Sequence, residues 1–134
     1  MADRGVHSKV MTLLAANNAL GGYQLSLICT EQGLLIASAG EGPDGEALAA
    51  FSSLFDEVVR RAVRDLGFGS VEEVTLLDPA LGRFVIRPLT LGRPPRLFLL
   101  VLMDAHRTWR RNLKQLGNAL APALLPLADQ LEGT

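Results

Sequence analysis

The chain has 134 residues and a mass of 14.4 kDa, so we expect residues 1–134 to form a single domain. Hydrophobic residues make up 49% of it and charged residues 20%, which excludes an intrinsically disordered protein. The net charge of −1 excludes an overall basic nucleic-acid-binding protein, and the single cysteine excludes an internal disulfide. The first residues lack the apolar core of a signal peptide, and no apolar run approaches the ~20 residues of a membrane span. We therefore expect a soluble cytoplasmic protein.

The first part of the chain predicts a helix followed by a hairpin. Apolar residues at helical spacing predict a helix over residues 8–20, with Ser8 as its N-cap. Alternating apolar residues then predict a strand over 23–30, and a second strand follows over 34–39. Because only three residues separate them, the two strands should pair antiparallel.

The second part predicts a long helix over residues 45–66 and a final helix that begins after Asp104. The proline at position 122 should start a separate short helical turn over 122–131. The strand over 96–103 is apolar on both faces, so it should lie at the centre of a sheet with helices on both sides. Three strands lie between the two helices, over residues 71–77, 83–89 and 96–103.

One glycine-rich segment resembles a dinucleotide-binding motif. Gly40, Gly42 and Gly45 have the spacing G-x-G-x-x-G. That motif requires a strand leading into a βαβ unit, whereas here the preceding strand is the second arm of a hairpin. We interpret the segment as a turn in which Asp44 is the N-cap of the long helix.

The remaining reactive side chains do not form a catalytic set. His7 and His106 have no partners at metal-ligand spacing, and Cys29 lies on a predicted strand, where it should behave as a small buried hydrophobe. Glu72 and Glu73 are adjacent, so on a strand they would point to opposite faces. The sequence thus predicts no catalytic residue, no metal site and no cofactor, and hence a non-enzymatic protein.

The long helix has an apolar stripe wider than docking on a sheet requires. A groove or a neighbouring loop could cover the excess, but we favour a homodimer that also pairs the exposed edge of the strand over 71–77. The predicted dimer interface consists of Leu48, Phe51, Phe55, Val59, Val71, Val74 and Leu76.

Four cations lie on or near one side of the last helix: Arg107, Arg110, Arg111 and Lys114. Such a group is often a solvated helix face. The alternative is a docking site for an acidic partner or a membrane surface. Nucleic acid is a weaker alternative, because the one interleaved aromatic residue, Trp109, falls on the apolar stripe.

Several stretches together resemble the Roadblock/LC7 family, in particular its MglB-like bacterial or archaeal members. They are the hairpin from Leu25 to Ser38, the helix from Leu48 to Leu66 with its following Leu-Gly-Phe-Gly end, and the strands Arg83–Leu89 and Leu97–Asp104. The resemblance covers about residues 8–120 and leaves 121–134 as a C-terminal extension. The family hairpin often carries Asp where this chain has Thr30.

The resemblance implies an α/β fold of the α+β sandwich type. It is profilin-like, with the order α-β-β-α-β-β-β-α and a five-stranded, mostly antiparallel sheet between helices. It also implies a dimer that pairs through the third strand and the long helix. Many members of the family bind or regulate small Ras-like GTPases, so a homodimeric regulator or scaffold for such a GTPase is the expected function. The alternatives are a small-molecule sensor of the PAS or GAF type and a purely structural interaction module.

Overall fold

The computed structural model describes residues 2–89, 91 and 96–132. Residues 92–95, between the two predicted strands over 83–89 and 96–103, and the last two residues of the expected extension lie outside this part of the chain. The helices are α1 (Ala2–Gly21), α2 (Gly45–Phe51), α3 (Phe55–Leu66) and α4 (Arg110–Glu132), with a 3-10 turn at Ser52–Leu54. The strands are β1 (Leu25–Thr30), β2 (Leu35–Gly40), β3 (Val74–Asp78), β4 (Gly82–Leu89) and β5 (Leu97–Met103).

The five strands form one sheet in the order β2-β1-β5-β4-β3, and all neighbouring pairs are antiparallel. All seven residues of β5 are buried. The third place of β5 among the five strands confirms the prediction that it is central, and every side chain is buried because helices cover both faces of the sheet there. β2 and β3 form the two edges of the sheet.

Each face of the sheet carries its own hydrophobic core. Residues 97, 99, 101 and 103 of β5 pack with α1 and α4, whereas residues 98, 100 and 102 pack with α2 and α3. This alternation is the two-residue period of a strand. The prediction of helices on both sides of the sheet is confirmed: the first and last helices lie on one face, and α2 and α3 lie on the other.

The expected long helix over 45–66 is interrupted, which corrects the sequence prediction. Asp44 does cap its start, since its carboxylate accepts a hydrogen bond from the backbone N–H of Glu46 at 3.0 Å. At Ser52, however, the buried hydroxyl donates to the carbonyl of Ala49 at 2.6 Å and lies 3.0 Å from the sulfur of Cys29. This hydroxyl satisfies local backbone groups, and a single turn of 3-10 helix separates α2 from α3.

Other predicted boundaries are also wrong. The first helix starts at Ala2, so Ser8 lies inside it and its carbonyl accepts from the hydroxyl of Thr12. Asp104 caps a turn rather than the last helix, because its carboxylate accepts from the backbone N–H of His106 and α4 begins only at Arg110. His106 therefore lies in this turn, ahead of α4.

α4 continues through both of its prolines instead of ending before a separate helical turn over 122–131. Pro122 and Pro126 lie inside the helix and are exposed. A proline removes one backbone hydrogen bond from a helix. On the solvent side, water can bind the carbonyl that loses its partner, so the helix bends or loosens locally without ending.

Candidate interaction surfaces

A row of apolar side chains along α2, α3 and β3 is exposed to solvent. We call this row the seam surface; it comprises Phe51, Leu54, Val58, Val63, Leu66 and Leu76. Leu54 is 52% exposed and Leu66 is 70% exposed, whereas large apolar side chains in a monomer usually find cover. Several exposed large apolar side chains on neighbouring elements indicate a surface that another molecule covers.

The predicted interface residues fall into three groups. Phe51 and Leu76 lie on the seam surface, and the ring of Phe51 stands edge-on to Phe84. Three further residues are half-buried and pack at the margin of the core beneath the seam: Leu48, Val59 and Val74. These five residues lie on the same face of the sheet.

The other two predicted interface residues lie elsewhere. Phe55 is only 2% exposed, and its ring packs 5.0 Å from that of Phe98, so it already belongs to the core of this chain. Val71 precedes β3, which begins at Val74 rather than at residue 71, and it lines a cleft beside α4. Leu77 is a further exposed apolar residue of β3 that the sequence prediction did not include. Strand alternation places its side chain on the face of the sheet opposite to Leu76.

The polar side of α3 is covered with ion pairs. Glu57 accepts hydrogen bonds from Arg60 at 2.6 Å and from Arg61 at 2.9 Å, and the bond from Arg61 holds the pKa of Glu57 below its ordinary value. Arg64 pairs with Asp65, which raises the pKa of Arg64. These groups are exposed, so the pairs contribute little to stability and mainly keep this side of the helix in water.

The four cations predicted as a docking site are all exposed, but they do not form one compact group. Arg107 lies in the turn before α4, where a side chain at Gly22 would meet its guanidinium group. Burial raises the pKa of Tyr23, and the positive charge of Arg107 acts in the opposite direction. Arg111 and Lys114 have no ion-pair partner in the described part of the chain, and they line two different clefts.

Glu73 organises the region around the start of α4, and sequence reasoning missed it. Its carboxylate is 13% exposed and accepts hydrogen bonds from Arg87 at 2.9 Å, from Trp109 at 3.0 Å and from Thr75 at 3.1 Å. Arg110 lies 3.7 Å from the same carboxylate. Glu73 thus joins the segment before β3 to β4 and to the first turn of α4.

The ring of Trp109 completes this group. The guanidinium carbons of Arg83 and Arg110 lie 4.3 and 4.4 Å from the ring centre, within the range of a cation–π interaction. The arginines near Glu73 come from β4 and α4, and Trp109 comes from the turn before α4, so no local pattern could have revealed this group. The expectation that Glu72 and Glu73 lie on a strand is wrong, because β3 begins one residue later.

Within the described residues, no group of three or more His, Cys, Asp or Glu side chains could hold a metal ion. Cys29 is fully buried, as expected, and its burial raises the pKa of the thiol to about 11, against the smaller lowering effect of the hydrogen bond with Ser52. Such a thiol is not a ready nucleophile near neutral pH. No helix in the described ranges is long and apolar enough to cross a membrane.

The sequence matches no family model and no curated protein. Solved structures do match it, and one is a Roadblock/LC7 domain from Streptomyces avermitilis, with a TM-score of 0.64 and 19% sequence identity over 87% of this chain and 95% of that chain. The chain has a Roadblock/LC7 fold. Its Roadblock/LC7 sheet and helices also superpose on Myxococcus xanthus MglB, with a TM-score of 0.74 and 16% identity over 90% of this chain and 91% of that chain.

A second MglB structure, described as having a tetrameric arrangement, matches with a TM-score of 0.70 and 15% identity. It covers 93% of this chain and 91% of that chain. These identities are low, so the agreement concerns the Roadblock/LC7 fold: an all-antiparallel five-stranded sheet with helices on both faces. The seam surface and the region around Glu73 are features of this chain's own side chains.

Proposed function

We propose that this protein is an MglB-like, non-enzymatic regulator or scaffold that acts as a homodimer and binds a small Ras-like GTPase. The observation that carries the proposal is the seam surface, which lies beside a sheet edge. β3 is an edge strand, and an edge strand offers unpaired backbone N–H and C=O groups. A two-fold arrangement covers the seam surface and the β3 edge at the same time.

In the proposed dimer, the β3 strands of two protomers pair antiparallel and the two α3 helices pack over the join. Leu76 lies on the α3 side of the sheet, because it shares its face with Val74, which packs on the core under α2 and α3. Leu76 would therefore contact the partner helix. A stable interface of this kind buries about 1,600 Å² or more in total.

The GTPase part of the proposal rests on the similarity in fold to MglB and on the exposed cations near α4. Arg110, Arg111 and Lys114 lie on the opposite face of the sheet from α3, so the dimer would leave them accessible. The chain would act by changing the conformation of the GTPase and not by supplying a catalytic group.

The dimer is tested by light scattering after size exclusion at micromolar concentration. The unmodified protein should elute with about twice the 14.4 kDa mass of one chain, because two copies associate at a C2 interface. Leu76→Asp should give the monomer, since a carboxylate would be buried in the interface. Leu34→Asp is the matched control: Leu34 is 59% exposed at the β1–β2 turn, away from the seam surface. A wild-type protein that elutes as a monomer would refute the dimer.

The partner is tested with a purified Ras-like GTPase from the same genome, loaded with GDP or with a non-hydrolysable GTP analogue. Binding to one nucleotide state and not to the other, measured by calorimetry, would support a regulatory role. Equal or absent binding to both states would refute it. The Leu76→Asp variant separates the two parts of the proposal, because it can lose the dimer and keep the GTPase.

A further inference from the structure

A cleft of about 300 Å³ lies between α4 and the end of β4 on the face of the sheet opposite to the seam surface. We call it the α4 cleft. Leu89 and Leu113 form its apolar floor, and both are buried. Arg87, Lys114, Gly117 and Asn118 stand around the floor. The cleft opens to solvent along α4, since Lys114 and Asn118 are exposed.

Gly117 keeps the α4 cleft open at a cost to the helix. A glycine inside a helix is about 1 kcal/mol less favourable than alanine. Neither the backbone nor the packing requires it here, because a Cβ at this position would meet Leu89 at 3.7 Å, an ordinary van der Waals contact. A larger side chain would instead fill the space above Leu89. The glycine therefore leaves room for an apolar group from outside the protomer.

The polar groups around the floor are mainly hydrogen-bond donors. Arg87 is 18% exposed and is held in place by its bond to Glu73, and no other described residue accepts from its remaining N–H groups. Lys114 has no ion-pair partner in the described ranges. Glu72 on the opposite rim is the acidic group that faces the cleft.

α4 itself adds to the positive charge. It carries Arg110, Arg111 and Lys114 and has no acidic residue between positions 110 and 127. Arg110 is 3.7 Å from Glu73, so that acid offsets part of its charge. Arg111 lines a separate cleft on α4 and has no ion-pair partner among the described residues. The cleft is thus apolar at its floor and continues along α4 into a surface that favours carboxylates.

We propose that the α4 cleft binds a short acidic peptide segment of a partner protein. An apolar side chain of the segment packs over Gly117 onto Leu89, and flanking carboxylates pair with Lys114 and with the exposed cations of α4. A volume of about 300 Å³ is at the lower limit for a small-molecule pocket, and the opening along the helix suits an extended chain. The proposal is independent of the dimer seam, but it shares Lys114 and the other cations of α4 with the surface proposed for the GTPase; the apolar floor at Leu89 and Gly117 belongs to the peptide proposal alone.

The probe is a short fluorescein-labelled peptide in which aspartates flank two central leucines, and its fluorescence anisotropy is measured with the full chain. Gly117→Leu should weaken binding about tenfold or more, because it fills the space above the floor. Gly5→Leu is the matched control, since Gly5 is an exposed glycine in α1 with no atom within 4 Å of an added Cβ. It should leave binding unchanged.

A charge reversal gives a second, independent variant. Lys114→Glu should also weaken binding about tenfold, whereas Lys9→Glu, on an exposed lysine of α1, should not. Both cleft variants are checked by circular dichroism. If Gly117→Leu does not fold, the comparison of Lys114→Glu with Lys9→Glu decides the result.

Several outcomes would overturn the proposal. One is binding that is unaffected by Gly117→Leu and Lys114→Glu in folded protein. Another is equal affinity for a peptide with lysine in place of aspartate, or with serine in place of leucine. Binding to anionic phosphatidylserine vesicles without binding to the peptide would mean that the surface contacts a membrane. A change of oligomeric state in Gly117→Leu without peptide binding would mean that a second copy of the chain occupies the cleft.

Discussion

Replacing Glu73 with alanine should lower the free energy of unfolding by about 3–5 kcal/mol, the usual cost of removing one partner of a buried ion pair. The carboxylate of Glu73 is 13% exposed and its partner Arg87 is 18% exposed, so both groups have given up most of their contact with water. The substitution leaves the charge of Arg87 and the indole N–H of Trp109 without their acceptor.

The magnitude can be built from the individual contacts. A hydrogen bond between charged groups contributes about 1.5–3 kcal/mol, and a buried donor that loses its acceptor costs about 1–3 kcal/mol. The first value applies to Arg87 and the second to Trp109. The hydroxyl of Thr75 adds little, because it is only partly buried and can turn toward water.

The assay is urea unfolding at one fixed protein concentration, followed by circular dichroism and by the fluorescence of the single tryptophan. The matched control is Glu72→Ala at the neighbouring exposed position, where a surface substitution changes stability by less than about 0.5 kcal/mol. Glu73→Gln should fall between them, since its amide oxygen still accepts one hydrogen bond. If Glu73→Ala and Glu72→Ala were equally stable, the central position assigned to Glu73 would be wrong.

Three further predictions concern other parts of the molecule. Phe55→Ala should cost about 3–5 kcal/mol of stability in urea unfolding, because it leaves a cavity beside Phe98. Phe51→Ala should cost little stability and should instead weaken the dimer, measured by sedimentation. Equal effects of the two substitutions on stability would contradict the seam assignment. Burial raises the pKa of Cys29 to about 11 from an ordinary 9.0, so the unfolded thiol loses its proton first. The free energy of unfolding should therefore fall as the pH rises between these two values. Cys29→Ala should make the urea midpoint fall less steeply with pH, and an unchanged pH dependence would contradict the assignment to Cys29. Replacing Arg110 and Arg111 with Glu should abolish GTPase binding, and wild-type binding should weaken between ~50 and ~200 mM salt; salt-insensitive binding would leave the cations as a solvated helix face.

The sequence predicted the sheet and its layers well because hydrophobic periodicity is a local signal. The uninterrupted apolar run of β5 placed it at the centre, and the alternation in β1 and the short turn after it defined the hairpin. The break between α2 and α3 was missed because Ser52 fits a helical pattern as well as many residues do. It breaks the helix because it is buried and contacts both Ala49 and Cys29.

The candidate surfaces were predictable only in part. The excess apolar stripe predicted that some apolar side chains of the long helix would be left uncovered by the sheet, and several are exposed, since a helix on a sheet buries only about 100° of its circumference. The stripe could not show that Phe55 points to the core while Phe51 points to solvent. The 3-10 turn between them changes the direction of the Phe55 side chain relative to that of Phe51. Glu73 and Arg87 were not recognisable, because their contacts join segments 14 residues apart.

The two edges of the sheet differ in a way that limits how far the sheet can grow. β3 exposes its last three residues, whereas β2 lies beside α1, has an irregular register with β1 at Ile28 and Cys29, and ends at Gly40 with a φ of 99°. A bulge and a positive φ twist an edge away from the flat geometry that a further strand needs. In the proposed dimer, pairing at β3 would therefore use the one edge of each copy that can accept a further strand. Strand pairing should end at two chains and not propagate into a fibre.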